Sequence, residues 1–559
     1  AQKTISGKVT DAKDNQPLIG ASIVIKGTTK GTITDTAGVF KLQASEGDVL
    51  NISYVGYQAK QVEVTGKTFY NVSLRRGQAL EEFVVVGYGT QEKTDVTGAV
   101  ERIEAEDLNQ GSVTNPIQQM KGRSAGVDIN QVGSEPGSTP TVRIRGITSL
   151  IGGNDPLVVV DGVQGNMDLL NQVPPSEIES IDILKDASAT AVYGSRGAPG
   201  VIIVTTKKTR EGDVSVEYNG TMSADFLADK LDVFNASQWR EQAREWGVPY
   251  SADHGASTDW YDLLTQTGMT QNHTLSFGGG ADDFSYRASV SAILQEGLVI
   301  NSDNQKYIAR IRATQKALDD KLTLALNLNN TNEKSNWSPT GVGRADFRSN
   351  LISNAYVAKP TDPVLDGDGN YFYDENVFQY INPYAVAQEV VNEGSANNLF
   401  GSLDADLELT EALTLGWFGS WRKVDRNSGY FAPYKSTLPV PRDYNGIANV
   451  NTNLQDEKLM NMTLNYKETF DKHRIKFDGL YEWQKQTYQG HFAQGRDFIN
   501  DITSYHALQL GSVEDVLPGD ISSYKNDRKL VSFMGRLNYS FDNKYILTAS
   551  FRRDGSSVF

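Results

Sequence analysis

From residue 213 onward the sequence returns again and again to one pattern, runs in which every second residue is apolar. In DFSYRASVSAIL, Phe284, Tyr286, Ala288, Val290, Ala292 and Leu294 share one face, while Ser285, Arg287, Ser289 and Ser291 share the other. KLTLALNLNN sets Leu322, Leu324, Leu326 and Leu328 against Thr323, Asn327 and Asn329, and SLDADLEL sets Leu403, Ala405, Leu407 and Leu409 against Asp404, Asp406 and Glu408. RIKFDGLYEWQ opposes Ile475, Phe477, Tyr481 and Trp483 to Lys476, Asp478, Glu482 and Gln484. Successive side chains of a strand point to opposite faces, so each run is a strand between two different environments. About eleven such strands, roughly 9 to 13 residues each, are expected near 214–224, 271–280, 283–295, 306–316, 321–331, 400–409, 412–423, 458–470, 473–487, 530–541 and 544–553.

The links between these runs constrain the fold further. Tight links (GGADD, KALDD, LTEA, FDKH, FDNK) alternate with long ones at 225–270, 296–305, 332–399, 424–457 and 488–529. A soluble sandwich has no reason to keep every second connection short, whereas an outer-membrane barrel has tight periplasmic turns and free extracellular loops. A mean hydropathy of -0.42 does not oppose this, because alternation of lipid-facing and lumen-facing residues hides a transmembrane barrel from a hydropathy average. No run approaches the apolar length of a membrane helix. Tyr218, Tyr307, Trp417, Trp421, Tyr466, Trp483, Tyr539, Phe541 and Tyr545 fall where interface girdles would sit, although aromatics are also good strand formers. An odd strand count ends on the outer side without a closing partner, and an open edge in lipid is not viable. The 559 residues are therefore expected to be part of a longer polypeptide, with about 22 strands in full.

Upstream lie three shorter regions. Residues 1–76 carry short alternating runs such as ISGKVTD, ASIVIKG and FYNVSL, punctuated by Gly27, Gly38 and Gly56, which predict a small antiparallel β-sandwich. Residues 77–91 form a linker, and 92–210 an α+β unit. That unit has helical NPIQQMKG, strands VDIN, TVRIRG and PLVVVDG, and then IESIDILKDASATAVYGSRGAPGVIIVTTKK. Residues 211–559 hold the barrel strands.

Composition removes several functions. A formal net charge of -16 and a pI near 4.9 argue against a nucleic-acid partner. The absence of cysteine removes disulfides, Cys-zinc sites and thiol nucleophiles. The five histidines, His254, His273, His473, His491 and His506, are scattered, with no H-E-x-x-H pair and no G-x-S-x-G elbow, so no enzyme is expected. Gly194, Gly197 and Gly200 lack the lysine pattern of a phosphate loop and precede a strand, which makes them a turn. The start AQKTISG has neither the basic nor the apolar part of a signal peptide, as a processed mature form would not.

Mixed unit first and barrel second is the order of a TonB-dependent transporter, and TVRIRGITS, PLVVVDGV and IESIDILKDASATAVYGSRGAPGVIIVTTK resemble the plug hallmarks of that family. With residues 1–74, which resemble a carboxypeptidase regulatory-like, transthyretin-like domain, and with LEEFVVVGYGTQ, the chain resembles the SusC-like branch of Bacteroidetes. The resemblance covers the whole chain and is sharpest over 80–208 and at FRRDGSS. It implies a protein of the outer membrane of a Gram-negative bacterium that imports nutrients. It also implies TonB and its inner-membrane energising complex as partners, with a SusD-like surface lipoprotein capping the barrel. The expected cargo is an oligosaccharide. An oligopeptide is the close rival, a siderophore a more distant one, and a secreted adhesion or glycan-binding protein would lack both the plug hallmarks and the alternating loop lengths.

The resemblance makes Glu82, Phe83, Val84, Val85, Val86, Gly87, Tyr88 and Gly89 the TonB box, an apolar β-prone segment able to add to the edge of a TonB sheet. A core strand of the preceding sandwich is the competing reading. Arg143 and Arg145 alternate with Val142 and Ile144, so both are expected on one side of a plug strand, meeting either barrel carboxylates or ordinary surface partners. Substrate contacts are expected at the plug apex, Thr148, Ser149, Asn154 and Asp155, and on outer-loop aromatics Trp239, Trp246, Trp260, Tyr261, Trp337, Tyr371 and Tyr373, which would otherwise pack within the loops or against a lid. No cofactor is expected. Asp366, Asp368 and Asn370 resemble the start of a calcium loop, but Tyr371 and Val377 stand where an EF-hand needs Gly and Glu, which leaves a plain acidic turn as the default.

Overall fold

The computed structural model describes residues 3–558 except 13–15, 26–29, 55–56, 58–59, 75–82, 86–89, 93–98, 110, 112, 132, 151–152, 210–213, 250–251, 282, 340–350, 378–379, 439–441 and 543. The N-terminal unit holds β1 (Lys3–Asp11), β2 (Ser22–Ile25), β3 (Gly31–Ile33), β4 (Val39–Ala44), β5 (Val49–Ser53), β6 (Lys60–Glu63) and β7 (Phe69–Leu74). They form two sheets, β4-β1-β7 and β3-β2-β5-β6. Alternation along KTISGKVTD buries Ile5, Gly7, Val9 and Asp11, and Ile5 and Val9 meet Ile23, Phe40, Leu50, Ile52 and Val72 in one core. The expectation of a wholly antiparallel sandwich is corrected in one place, since β1 runs parallel to β7. The strand before β7 belongs to the facing sheet, so β7 does not return by a hairpin.

In the linker, β8 (Phe83–Val85) and β9 (Thr90–Glu92) make a two-stranded sheet of their own. Of the expected TonB box, Glu82, Val86, Gly87, Tyr88 and Gly89 lie outside the described residues.

The plug contains β10 (Val100–Glu104), β11 (Val127–Asn130), β12 (Thr141–Ile144), β13 (Leu157–Val160), β14 (Val163–Gly165), β15 (Ile178–Leu184) and β16 (Val201–Thr206). Five of them form a mixed sheet in the order β10-β15-β16-β13-β14, and β11 pairs with β12. Its central strands are apolar on both faces, with Val158, Val160, Ile202 and Val204 buried on one side and Val159, Val201 and Ile203 on the other. Continuous runs such as VIIVTT mark a strand with no watered face.

The remaining strands are β17 (Ser215–Asp225), β18 (Gly268–Ala281), β19 (Phe284–Glu296), β20 (Asp303–Ala317), β21 (Leu322–Asn336), β22 (Val391–Thr410), β23 (Leu413–Ala432), β24 (Ile447–Phe470), β25 (His473–Arg496), β26 (Ile521–Phe541) and β27 (Tyr545–Ser556). They pair antiparallel in chain order as one eleven-stranded sheet. Burial is inverted relative to a water-soluble protein. Val290, Leu403, Met462, Phe533 and Leu547 are exposed, whereas Thr274, Ser291, Asn329, Ser402, Glu482 and Ser532 on the other face are nearly or fully buried. The buried face holds the plug, which is touched by strands from β18, through Ser276, to β27, through Arg552. A flat sheet of eleven strands would be about 50 Å wide, so contact across almost all of them requires that it curl around the plug. No helix among the described residues is long and apolar enough to cross a membrane, which says nothing about strands.

The strands are longer than the alternation predicts, reaching 24 residues in β24 and β25. The extra length lies on the side of the long links, beyond the band of exposed apolar residues.

Candidate functional site

The plug and sheet face each other across a seam that is polar on one flank. Glu177, which precedes β15, takes a two-pronged contact from Arg287 of β19, with Nε donating to Oε2 at 2.8 Å and Nη2 to Oε1 at 2.7 Å. Ser276 of β18 adds a hydroxyl donor at 2.7 Å. Asp161, in the turn between β13 and β14, accepts from Arg310 and Arg312 of β20 and from the amide and hydroxyl of Thr206. Burial alone would raise the pKa of Asp161, but Arg310 and Arg312, with Thr206, outweigh it and hold the group below the usual carboxylate range. The same opposition, with burial overcome by Arg287 and Ser276, keeps Glu177 low. Asp168 is low against its burial because Arg426 of β23 donates to it at 2.7 Å. One plug cation runs the other way: Arg196 donates to Glu482 at 2.7 Å and to Gln484 at 2.6 Å, both on β25, and Arg552 joins it on Glu482 at 3.0 Å.

The other flank is apolar. Phe400, Phe418 and Leu459 from β22 to β24 belong to the same core as the plug, and Leu480 and Met534 from β25 and β26 close its other end. Gly162 of the plug has φ +87°, and a Cβ there would come within 2.8 Å of the Phe418 ring, so the close approach of plug turn and wall depends on glycine.

Arg143 and Arg145 do not meet the barrel. Arg143 pairs with Asp155 and Arg145 with Asp186, both within the plug. The physical reason is local: β12 ends at Ile144, and Arg145 takes a positive φ of 57° that breaks the alternation on which the expectation rested. The arginines that bind across the seam lie mostly on the sheet, and their acceptors mostly on the plug. Sequence reading missed Asp161, Glu177, Asp168 and Glu482. The signal for their partners, an arginine or carboxylate on the otherwise small and neutral face of an alternating strand, is visible at Arg287 in YRASVSA.

Above the seam, plug and wall enclose a cavity of about 320 Å3. Thr139, Asn171 and Gln172 come from the plug, and Trp337, Asn398, Asn427 and Asn453 from the wall. Its lining is rich in amides. The side-chain oxygens of Gln172 and Asn398 are buried without a hydrogen-bond partner among the described residues, leaving acceptors for a donor from outside. Trp337 packs against Gly394, where a Cβ would run into its ring.

The remaining expected contacts are dispersed. At the plug loop, Asn154 closes the turn on itself: its Oδ1 accepts from the amides of Thr148 and Ser149 at 2.8 Å, and its Nδ2 donates to the carbonyl of Ser149 at 2.8 Å. Asp155 is taken up by Arg143. Trp260 and Tyr261 are 3% and 8% exposed, so they are core residues of the outer loops and not open platforms. Trp260 donates to the carbonyl of Lys359 at 3.0 Å, and Tyr261 stacks on Tyr356. Trp239 lines a second cavity of about 770 Å3, with Lys359 lying 5.8 Å from its ring. Trp246 is exposed beside Phe234. Tyr373 is covered by Arg442 at 3.6 Å, and Tyr371 meets Tyr384 edge-on. Asp366 accepts from the amides of Asp368 and Asn370 at 2.9 Å, the bonding of an acidic turn. Only Trp337 of these aromatics stands at the seam between plug and wall.

Two family models match the chain: a CarboxypepD_reg-like domain at residues 5–86 and a TonB-dependent receptor plug domain at 92–201. Similar proteins include TonB-dependent receptor P3 of Formosa agariphila, 33% identical over all of this chain and 55% of the relative. TonB-dependent receptor SusC of Bacteroides thetaiotaomicron is 31% identical over all of this chain and 57% of its own length. The chain thus spans about half the length of the curated relatives it matches. Among solved structures, the RagAB peptide importer in its open-open state superposes with TM-score 0.72 at 22% identity, over 86% of this chain and 57% of that one. The ferric citrate transporter FecA superposes with TM-score 0.54 at 12% identity, over 83% of this chain and 57% of that one. These likenesses show the fold.

Proposed function

Because this chain belongs to the SusC-like TonB-dependent receptors, we propose that it forms the plug-bearing part of an active importer that carries an oligosaccharide across the outer membrane with a SusD-like lipoprotein. The observation that carries this reading is the inverted sheet, apolar outward and polar inward, curled around a plug that it holds by buried ion pairs. A bore of this kind is closed at rest, and moving the plug requires outside work. Residues 82–89 supply the handle in this reading. Energised TonB would add a strand to them and pull, and ion pairs that water can replace would part before the apolar flank does.

The cavity with Trp337, lined by amides and by Asp168, Glu333 and Arg426, supports a hydroxyl-rich cargo, since amide oxygens left without donors suit sugar hydroxyls and an indole suits a ring face. An oligopeptide is the second reading, favoured by the likeness of fold to a peptide importer; backbone N–H groups would satisfy the same acceptors. Calorimetric titration of the full-length receptor with oligosaccharide and with oligopeptide mixtures decides between them. Trp337→Ala is expected to weaken oligosaccharide binding by roughly tenfold. Binding of peptides alone selects the second reading. Deletion of residues 82–89 should abolish uptake while leaving binding intact, and uptake that persists refutes the coupling role.

A further inference from the structure

We propose that the outward face of β24 to β26 binds the phosphate groups of a phosphorylated lipid of the outer leaflet, through Lys458, Lys485 and Lys529. Lys458 and Lys529 are exposed, Lys485 between them is half-buried, and the three stand directly side by side: Lys458 pairs with Lys485, and Lys485 with Lys529. Like charges opposite one another on adjacent strands are destabilising unless a counter-charge sits over them. The carboxylates at hand, Asp456 and Asp527, lie on the next outward row, away from the apolar band, each 3.6 Å from a single lysine, Lys458 and Lys485 respectively. On β21 and β22 the outward face above the apolar band carries instead Asn330, Asn332 and Asn397, hydrogen-bonded to one another. In a chain of net charge -16, this row of cations is local and specific.

Its height fixes the chemistry of the ligand. The next outward row, Met460, Trp483 and Val531, begins the apolar band, which runs down β26 through Phe533 and Leu537 to Phe541. That is about 11 residues, the length of tilted strand that crosses a bilayer. The lysines therefore sit one step above the acyl region on the side of the long loops, at headgroup depth, with Trp421 paired to Lys458 at the same level. A lipid whose chains cover the apolar band would place its phosphates against all three ammonium groups. An acidic protein would have to meet lysines flush with the membrane, so the lipid is the occupant the geometry favours.

The inference rests on the sheet being lipid-embedded, not on the identity of the cargo. The test uses the full-length receptor in phosphatidylcholine nanodiscs doped with bisphosphorylated lipid A or with the same lipid after removal of its phosphates, and counts retained lipid by native mass spectrometry. The receptor should retain the phosphorylated form roughly tenfold or more over the dephosphorylated one. The triple variant K458Q/K485Q/K529Q should lose that preference, the triple arginine variant should keep it, and inorganic phosphate should not displace the lipid. A glutamine variant with undiminished preference overturns the site. Displacement by inorganic phosphate reassigns it to a soluble anion, and loss of a protein partner with lipid preference unchanged reassigns it to protein contact. Retention of neither lipid form would count against the membrane reading itself, whereas equal retention of both removes only the lysine site.

Discussion

Along β18 to β20 the plug is held by charge, with Glu177 on Arg287 and Asp161 between Arg310 and Arg312. Along β22 to β26 it is held mainly by shape, with Phe400, Phe418, Leu459, Leu480 and Met534 packed into the plug cores and the pairs at Glu482 and at Arg426 as charged exceptions. The two flanks respond to different insults. Charge pairs are directional, depend on exclusion of water, and collapse when one partner is lost. Apolar contact has no such trigger and yields only in proportion to the surface exposed. A plug that must stay shut and yet be moved is well served by having one flank of each kind.

Removing the charge should break the contrast most visibly. Asp161→Ala leaves buried Arg310 and Arg312 without the carboxylate they bond to, and should lower the stability of the docked plug by about 3–5 kcal/mol. The midpoint of plug release under denaturant in the full-length receptor measures it. Phe418→Ala attacks the other flank and should cost about 3 kcal/mol through the cavity left over Gly162, a difference from the wild type that stays the same across pH.

The pH dependence separates the flanks more finely. Asp161, Glu177 and Asp168 are held below the ordinary carboxylate range when folded, so the unfolded chain binds protons first as pH falls. Their stabilisation is complete above that range and is lost on acidification towards the folded values. Release of the plug should therefore grow easier as pH falls from about 5 to about 3, equally in the wild type and in Phe418→Ala, and with a smaller slope in Asp161→Ala, where Glu177 and Asp168 remain. The outer loops supply a control of opposite sign. Burial, then the charge of Asp501, pushes Glu389 up to about 7. Its folded form binds protons more readily than the unfolded chain, so loop stability falls as pH rises from the ordinary carboxylate value to about 7 and is flat beyond. Glu389→Gln should remove that slope and stabilise the loops slightly at pH 8, read by proteolysis of the loops.

The strands of the sheet were legible because lipid and plug impose opposite chemistry on alternate residues. Where that contrast ends, so does the signal. Above the band, β26 carries Ser523, Lys525 and Asp527 on one face and Ser522, Tyr524, Asn526 and Arg528 on the other, and a strand polar on both faces has no period for sequence reading to detect. The seam was less legible, since Asp161 and Arg310 are 149 residues apart and meet only once the sheet has curled. Arg143 and Arg145 carried the right alternation but lie at a strand end, where a positive φ at Arg145 turned them back onto the plug's own carboxylates. Outer-loop aromatics could be assigned to the loops but not to core or surface. Trp260 is buried with Leu264 of its own helix and with Leu351 and Val386 from distant segments, while Trp337 reaches the seam because Gly394 leaves it room.

The central claim, that the sheet is embedded in lipid with its apolar face outward, is open to one direct measurement, and these 559 residues contribute no cysteine of their own to it. Single cysteines placed in turn at residues 288 to 292 of β19 in the full-length receptor, spin-labelled in native membranes, report collision with oxygen dissolved in lipid. The account predicts high oxygen accessibility at Ala288, Val290 and Ala292 and low accessibility at Ser289 and Ser291. Uniform accessibility along the strand, or outward positions reached instead by a water-soluble relaxation agent, would contradict it.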